Sequence, residues 1–165
     1  MSVQLIRRRL FLALLAGSVS VTAARVFSAQ PQGAPQDPGA AIPASALVEP
    51  KELVQTLASA QEKPLILQVG VHVLYAQAHI PGSEYLGAAG TAAGLEALRK
   101  RVATTPKAQF IVLYCGCCPW ENCPNIRPAF NQLHALGFTH VKALRLAENF
   151  GADWVDKGYP VASGG

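Results

Sequence analysis

The chain has 165 residues, 50% of them hydrophobic and 15% charged, which is the composition of a globular protein and excludes wholesale disorder. Lys and Arg number 14 against 10 Asp and Glu, but four of the cations, Arg7, Arg8, Arg9 and Arg25, precede Gln30. The remainder is balanced, so the net charge of +4 belongs to the N-terminus and gives no argument for nucleic acid, which would call for a basic patch on the folded domain.

That N-terminus reads as an address. Three arginines precede the apolar run "LFLALLAG" and the small residues "SVSVTAA", with no acidic residue before Asp37. This is the order of an export signal, assigned to residues 1–29, with cleavage expected between Ala23 and Ala29. "RRLFL" from Arg8 to Leu12 resembles a twin-arginine signature, a plain secretory signal being the alternative. The apolar run is broken by Gly17, Ser18, Ser20 and Thr22, short of the roughly 20 apolar residues of a spanning helix. Expected localisation is therefore periplasmic or extracellular, with membrane contact only during export. Residues 30–44, rich in Pro, Gly, Gln and Ala, read as a flexible spacer.

From residue 45 to 165 a single domain is expected, and its elements alternate. "EPKELVQTLASA" carries Leu53 and Leu57 at helical spacing, "PLILQVG" is a short apolar run suited to a buried strand, and "GLEALRKRVA" is helical. "QFIVLYC" is a second buried strand. "NIRPAFNQLHALG" is a helix ending at Gly137, "HVKALR" a further strand, and "NFGADWVDKG" a helical segment stopped by Gly158. Strands separated by helices imply an α/β fold with a parallel sheet.

All four cysteines fall within nine positions, in "CGCCPWENC" after the strand "FIVLY". Parallel sheets place their ligand sites beyond the carboxyl ends of their strands, where Cys115 stands. The loop Gly116 to Pro124 then enters a helix near Pro124 or Asn125. The loop residues Gly116, Pro119, Trp120, Glu121 and Asn122 are expected to shape an anion cradle, whose backbone N–H groups and those of the helix N-terminus favour a thiolate.

With these residues in view the chain resembles the rhodanese-like domain family. The matching pieces are "PLILQVG", "AHIPGS" (Ala78 to Ser83), "FIVLYC", "NQLHALGF" and "ADWVDKGYPV", spanning Leu53 to Val161. The resemblance implies a small parallel sheet flanked by helices. It also implies that Cys115 is a nucleophile that takes sulfur from a small sulfane donor, holds it as a persulfide and passes it to a thiol acceptor or a partner thiol protein. Two departures stand out. Gln68-Val69-Gly70 replaces the Asp-Val-Arg usual after the first strand, and the loop is long, lacks any cation and carries Glu121. A dianionic donor such as thiosulfate would be held there mainly by amides.

Three readings of the cysteines stay open. In the first, Cys115 is the nucleophile of a sulfurtransferase or thiol-handling protein, and Cys117, Cys118 or Cys123 resolves the product as a disulfide. In the second, an oxidising compartment pairs the cysteines, with Cys118–Cys123 or Cys117–Cys123 the natural staple, and the protein is a disulfide-locked scaffold for a partner. In the third, Cys115, Cys117, Cys118 and Cys123 bind Cu(I), zinc or an iron–sulfur centre and the protein is a non-catalytic module. The first reading needs no cofactor. His79 is expected to be structural, His72, His134 and His140 to be surface or core-edge residues, Trp120 to shield the sulfur or meet a partner, and Trp154 to lie in the core.

Overall fold

A computed structural model describes residues 41–59 and 63–165. Residues 1–29, read above as an export signal, and residues 30–40 of the expected spacer lie outside the described residues. Within the described part, Ile42 is already buried in the core, followed by a 3-10 turn at Ala44–Ala46. No helix among the described residues is long and apolar enough to cross a membrane.

Five short strands form one parallel sheet: β1 (Leu47–Val48), β2 (Leu65–Gln68), β3 (Glu84–Tyr85), β4 (Ile111–Tyr114) and β5 (Val141–Leu144), in the order β1-β5-β4-β2-β3. The helices are α1 (Pro50–Ala58), α2 (His72–Gln77), α3 (Ala92–Arg101) and α4 (Ile126–Ala135), with a five-residue π turn at Gly151–Val155. This is the α/β sheet flanked by helices that the sequence implies. The sequence pattern missed the two-residue strands β1 and β3 and the single-turned α2, which are too short for periodicity to register.

β4 is central, and all four of its residues are buried, as a strand covered on both faces must be. Alternation along it assigns its side chains to two cores. Ile111, Leu113 and then Cys115 pack with Leu98 of α3 and with Ile126, Ala129, Phe130 and Leu133 of α4. Val112 and Tyr114 pack with Leu53 of α1 and with Ile80, Phe150 and Trp154. The parity of Cys115 therefore aims its sulfur at the start of α4. Gly137 ends that helix with φ +85°, a left-handed conformation that glycine adopts without steric cost.

The "AHIPGS" segment is a turn that fixes the last residue of β4 from the other face. Ser83 N–H donates to Ile80 O at 2.9 Å, Ile80 N–H donates to the Tyr114 hydroxyl at 3.3 Å, and that hydroxyl lies 3.0 Å from Ser83 Oγ. His79 is structural, as expected: its Nδ1 bonds Tyr75 O at 2.8 Å and its ring stacks on Tyr75 at 3.9 Å. Trp154 is fully buried and donates its indole N–H to Pro160 O at 2.9 Å.

Candidate functional site: a thiol cluster beyond the central strand

The chain leaves β4 at Cys115 and reverses at Gly116, whose φ of +89° is left-handed; a Cβ there would also meet Phe150 at 3.0 Å. The reversal brings Cys117 back over Cys115, with the two sulfurs 3.2 Å apart. Cys118 Sγ lies 3.2 Å beyond Cys117 Sγ. The loop continues through Pro119 into a 3-10 turn at Trp120–Asn122 and delivers Cys123 to the start of α4. The sulfurs of Cys115, Cys117 and Cys123 all lie within 4.8 Å of one another. Cys115 and Cys123 are 3% and 6% exposed, whereas Cys117 is open to solvent.

All four cysteines are free thiols, so neither the Cys118–Cys123 nor the Cys117–Cys123 staple is formed. Cys117 stands 3.2 Å from both Cys115 and Cys118, and Cys123 hydrogen-bonds Cys115. The turn at Gly116 has drawn Cys117 toward the strand end, while the 3-10 turn carries Cys123 past it to the helix.

The amide cradle is built differently from the sequence expectation. The N–H groups of Trp120, Asn122 and Cys123 are committed to the carbonyls of Leu146, Pro119 and Trp120 at 3.0, 3.1 and 3.3 Å. The cradle amides at the helix start, those of Asn125 and Ile126, face Cys123 rather than Cys115. Pro119, Glu121 and Asn122 are exposed, and Trp120 packs its ring on the α3–α4 core. Glu121 lies in the field of Arg145, which itself pairs with Glu49 at 3.0 Å, and so is not aimed at the thiols.

Cys115 and Cys123 share a proton. Its hydrogen bond from Cys115 holds the Cys123 thiol down at about 6, with the amides of Asn125 and Ile126 acting in the same direction against burial. The same bond and the same burial push Cys115 up, since losing its proton beside a thiolate would place two charges together; the Cys117 amide and Asn125 oppose this only in part. The pair thus yields one thiolate readily and the second with difficulty. Cys118 is raised to about 12, first by burial and then by Cys117 and Cys123.

Three further residues complete the site. Asn125, 5% exposed, donates from Nδ2 to Cys115 Sγ at 3.2 Å and accepts the Gly90 N–H on Oδ1 at 2.8 Å, which fixes its orientation. Gln68, in the position of the usual Asp, donates to Cys115 O at 2.8 Å and accepts the Gly70 N–H at 3.1 Å, so an amide closes the contact between β2 and β4 without charge. Gly70 gives the sulfur its room: a Cβ there would lie 2.6 Å from Cys115 O and 2.8 Å from Cys115 Sγ. The departure Gln68-Val69-Gly70 was visible in the sequence, and its two ends now have roles. For Asn125 the available signal was a polar residue at a helix start two positions after a cysteine.

Beside the cluster is a cleft of about 330 Å³ lined by Leu74, Ala78, Cys117, Asn149, Phe150 and Val155, among other residues, none of them Lys, Arg or an acid. Cys117 is the cysteine that reaches it.

No family model and no curated protein matches the sequence. Solved structures do match. A crystal structure of the Alr3790 protein from Anabaena sp. superposes with a TM-score of 0.55 at 23% identity, covering 71% of this chain and 92% of that one. An NMR structure described as the rhodanese-like domain of the same Anabaena protein gives 0.53 at 22%, covering 72% and 79%. The BH2092 protein from Bacillus halodurans gives 0.56 at 19%, covering 72% and 77%. At these identities the likeness is one of fold.

Proposed function

From the premise that this chain has the rhodanese-like fold, we propose that it handles sulfane sulfur or exchanges thiols, with Cys115 as the residue that carries the persulfide. The observation that supports this most is the placement of Cys115 beyond the central strand, against a second buried thiol that can take its proton and an asparagine N–H 3.2 Å from its sulfur. A thiolate is the nucleophile in such chemistry, and a proton-sharing pair supplies one near neutral pH.

The step balances without an outside oxidant. The Cys115 thiol passes its proton to the Cys123 thiolate as its sulfur attacks the outer sulfur of a small sulfane donor, the S–S bond of the donor breaks, and its remainder leaves as a thiolate or sulfite. Cys115 now carries –S–S⁻, an anion to which the Asn125 Nδ2–H can donate. A thiol acceptor then removes the outer sulfur and restores Cys115. The absence of cations in the loop and cleft favours an organic persulfide over dianionic thiosulfate. Under this reading the protein is exported by the arginine-led segment and meets its donor and a thiol acceptor, small or proteinaceous, outside the cytoplasm. Replacing Arg8 and Arg9 by Lys tests the route: a twin-arginine substrate is stranded inside, a plain secretory one is not.

The test of the chemistry is mass mapping of reduced, metal-free protein after exposure to an organic persulfide, with free thiols alkylated. Persulfide is expected on Cys115, and Cys115→Ser should lose it. Loading should rise with pH through about 6 as the pair gives up its first proton, and fall below that pH as the thiolate of Cys123 is protonated.

One observation favours a second reading. Three sulfurs within 4.8 Å, two of them buried, are a donor set for a soft ion such as Cu(I) or zinc, with Cys118 a further sulfur 3.2 Å from Cys117. Anaerobic purification with metal analysis decides: one tightly held ion per chain, lost with Cys115→Ser, would replace sulfur transfer by metal binding.

A further inference from the structure

We propose that Cys117 is the exchange sulfur of the cluster, through which sulfane sulfur enters from the cleft, passes to Cys115 and leaves again. This rests on the reading of Cys115 as the persulfide carrier and specifies how that buried atom meets its substrates.

The argument begins with access. Cys115 is 3% exposed, and its sulfur is walled by Gly70, where a single added carbon would lie 2.8 Å away, and by Asn125 at 3.2 Å, with Cys123 also near. The remaining neighbour is Cys117, 3.2 Å from it, exposed, and in the lining of the cleft that Cys115 does not reach. A donor that attacked Cys115 directly would have to displace Cys117 first. A donor in the cleft meets the Cys117 sulfur without any rearrangement.

Two successive displacements carry the sulfur inward. The Cys117 thiolate attacks the terminal sulfur of an organic persulfide, R–S–SH, to give Cys117–S–SH and the thiolate R–S⁻. Cys115, giving its own proton to the neighbouring Cys123 thiolate, then attacks that terminal sulfur, giving Cys115–S–SH and restoring the Cys117 thiolate. Each step forms one S–S bond and breaks one, the proton stays on the transferred sulfur, and no net oxidation occurs. Reversal delivers the sulfur to an acceptor. In the inline arrangement the transferred atom stands between the two sulfurs with one bond forming as the other breaks, so their separation must exceed two S–S bond lengths, about 4.1 Å. Cys117 must therefore retreat by about 1 Å, which an exposed side chain can do and the walled Cys115 cannot.

The cleft also selects the partner. Its walls include Leu74, Ala78, Phe150 and Val155 and offer no cation, so it suits a persulfide or thiol whose organic part is apolar and uncharged. Val155 and nearby Val71 and Val73 are exposed apolar side chains.

The experiment follows loading by rapid quench and mass mapping, with the persulfide of N-acetylcysteine methyl ester as probe. Wild-type protein should accumulate the sulfur on Cys115. Cys117→Ser and Cys117→Ala, at an exposed site where folding can be verified by circular dichroism, should still end with sulfur on Cys115 but load at least tenfold more slowly. Cys115→Ser should stop the sulfur on Cys117. Loading of both Cys117 variants at the wild-type rate would overturn the relay and leave Cys115 as a directly attacked carrier. Absence of persulfide from Cys115 in the wild type and in both variants would overturn the carrier assignment, and the relay with it.

Discussion

Tyr114 and Cys115 are adjacent in the chain and face opposite cores, and the contrast between their surroundings explains how a small domain keeps its reactive group in place. On the Tyr114 side every polar group has a neutral partner. The tyrosine hydroxyl meets Ile80 N–H and Ser83 Oγ, Tyr75 OH donates to Ser83 O at 2.6 Å, and Trp154 donates to Pro160 O. Burial pushes the Tyr114 hydroxyl up to about 12, so it keeps its proton near neutrality. On the Cys115 side, thiols outnumber strong donors, and two of them divide a single proton. One face is fixed by completed hydrogen bonds, and the other holds a thiol pair with one readily lost proton.

The contrast can be broken from either side. The largest effect on stability belongs to the Tyr114 side: Trp154→Ala removes a fully buried indole and should cost about 3–5 kcal/mol, lowering Tm on the order of 10 °C in a thermal melt. Gly70→Ala should cost about 1–3 kcal/mol by overpacking and, unlike the tryptophan change, should slow sulfur loading in the protein that remains folded, because the new methyl presses on Cys115 Sγ. Asn125→Ala should cost about 1–3 kcal/mol for the Gly90 N–H left without its acceptor. Its diagnostic effect is on the thiols, since alkylation of Cys115 should require higher pH once the N–H donor is gone. Glu121→Gln sharpens the contrast by doing least: an exposed carboxylate in the field of Arg145 should leave stability within about 0.5 kcal/mol and the alkylation profile unmoved.

The parts of the fold that the sequence made legible are those with a long pattern. β2, β4, β5, α1, α3 and α4 are visible from apolar runs, helical spacing and the glycine at 137, and the site's position follows from Cys115 ending a buried strand. The geometry within the loop was less legible, because nine residues hold no periodicity and their amides can satisfy one another. Trp120 N–H pairing with Leu146 O, across from β5, is a tertiary contact that no local rule supplies. For that reason the cradle was expected around Cys115 and is found at Cys123. Asn125 was read as a helix start, which it is, and its side chain was free to serve the thiol because it makes no capping bond of its own.

The alternation that sends Ile111, Leu113 and Cys115 to one core and Val112 and Tyr114 to the other has a consequence for how this sequence can diverge. A single residue inserted or deleted between Ile111 and Cys115 would rotate the sulfur to the Trp154 side, away from Asn125 and Cys123, while leaving every cysteine present. Length changes between Pro119 and Asn122 would leave the strand parity intact and disturb instead the turn in which Trp120 packs on the core and bonds Leu146 O. In descendants of this chain, the spacing before Cys115 should be rigid to insertions and deletions.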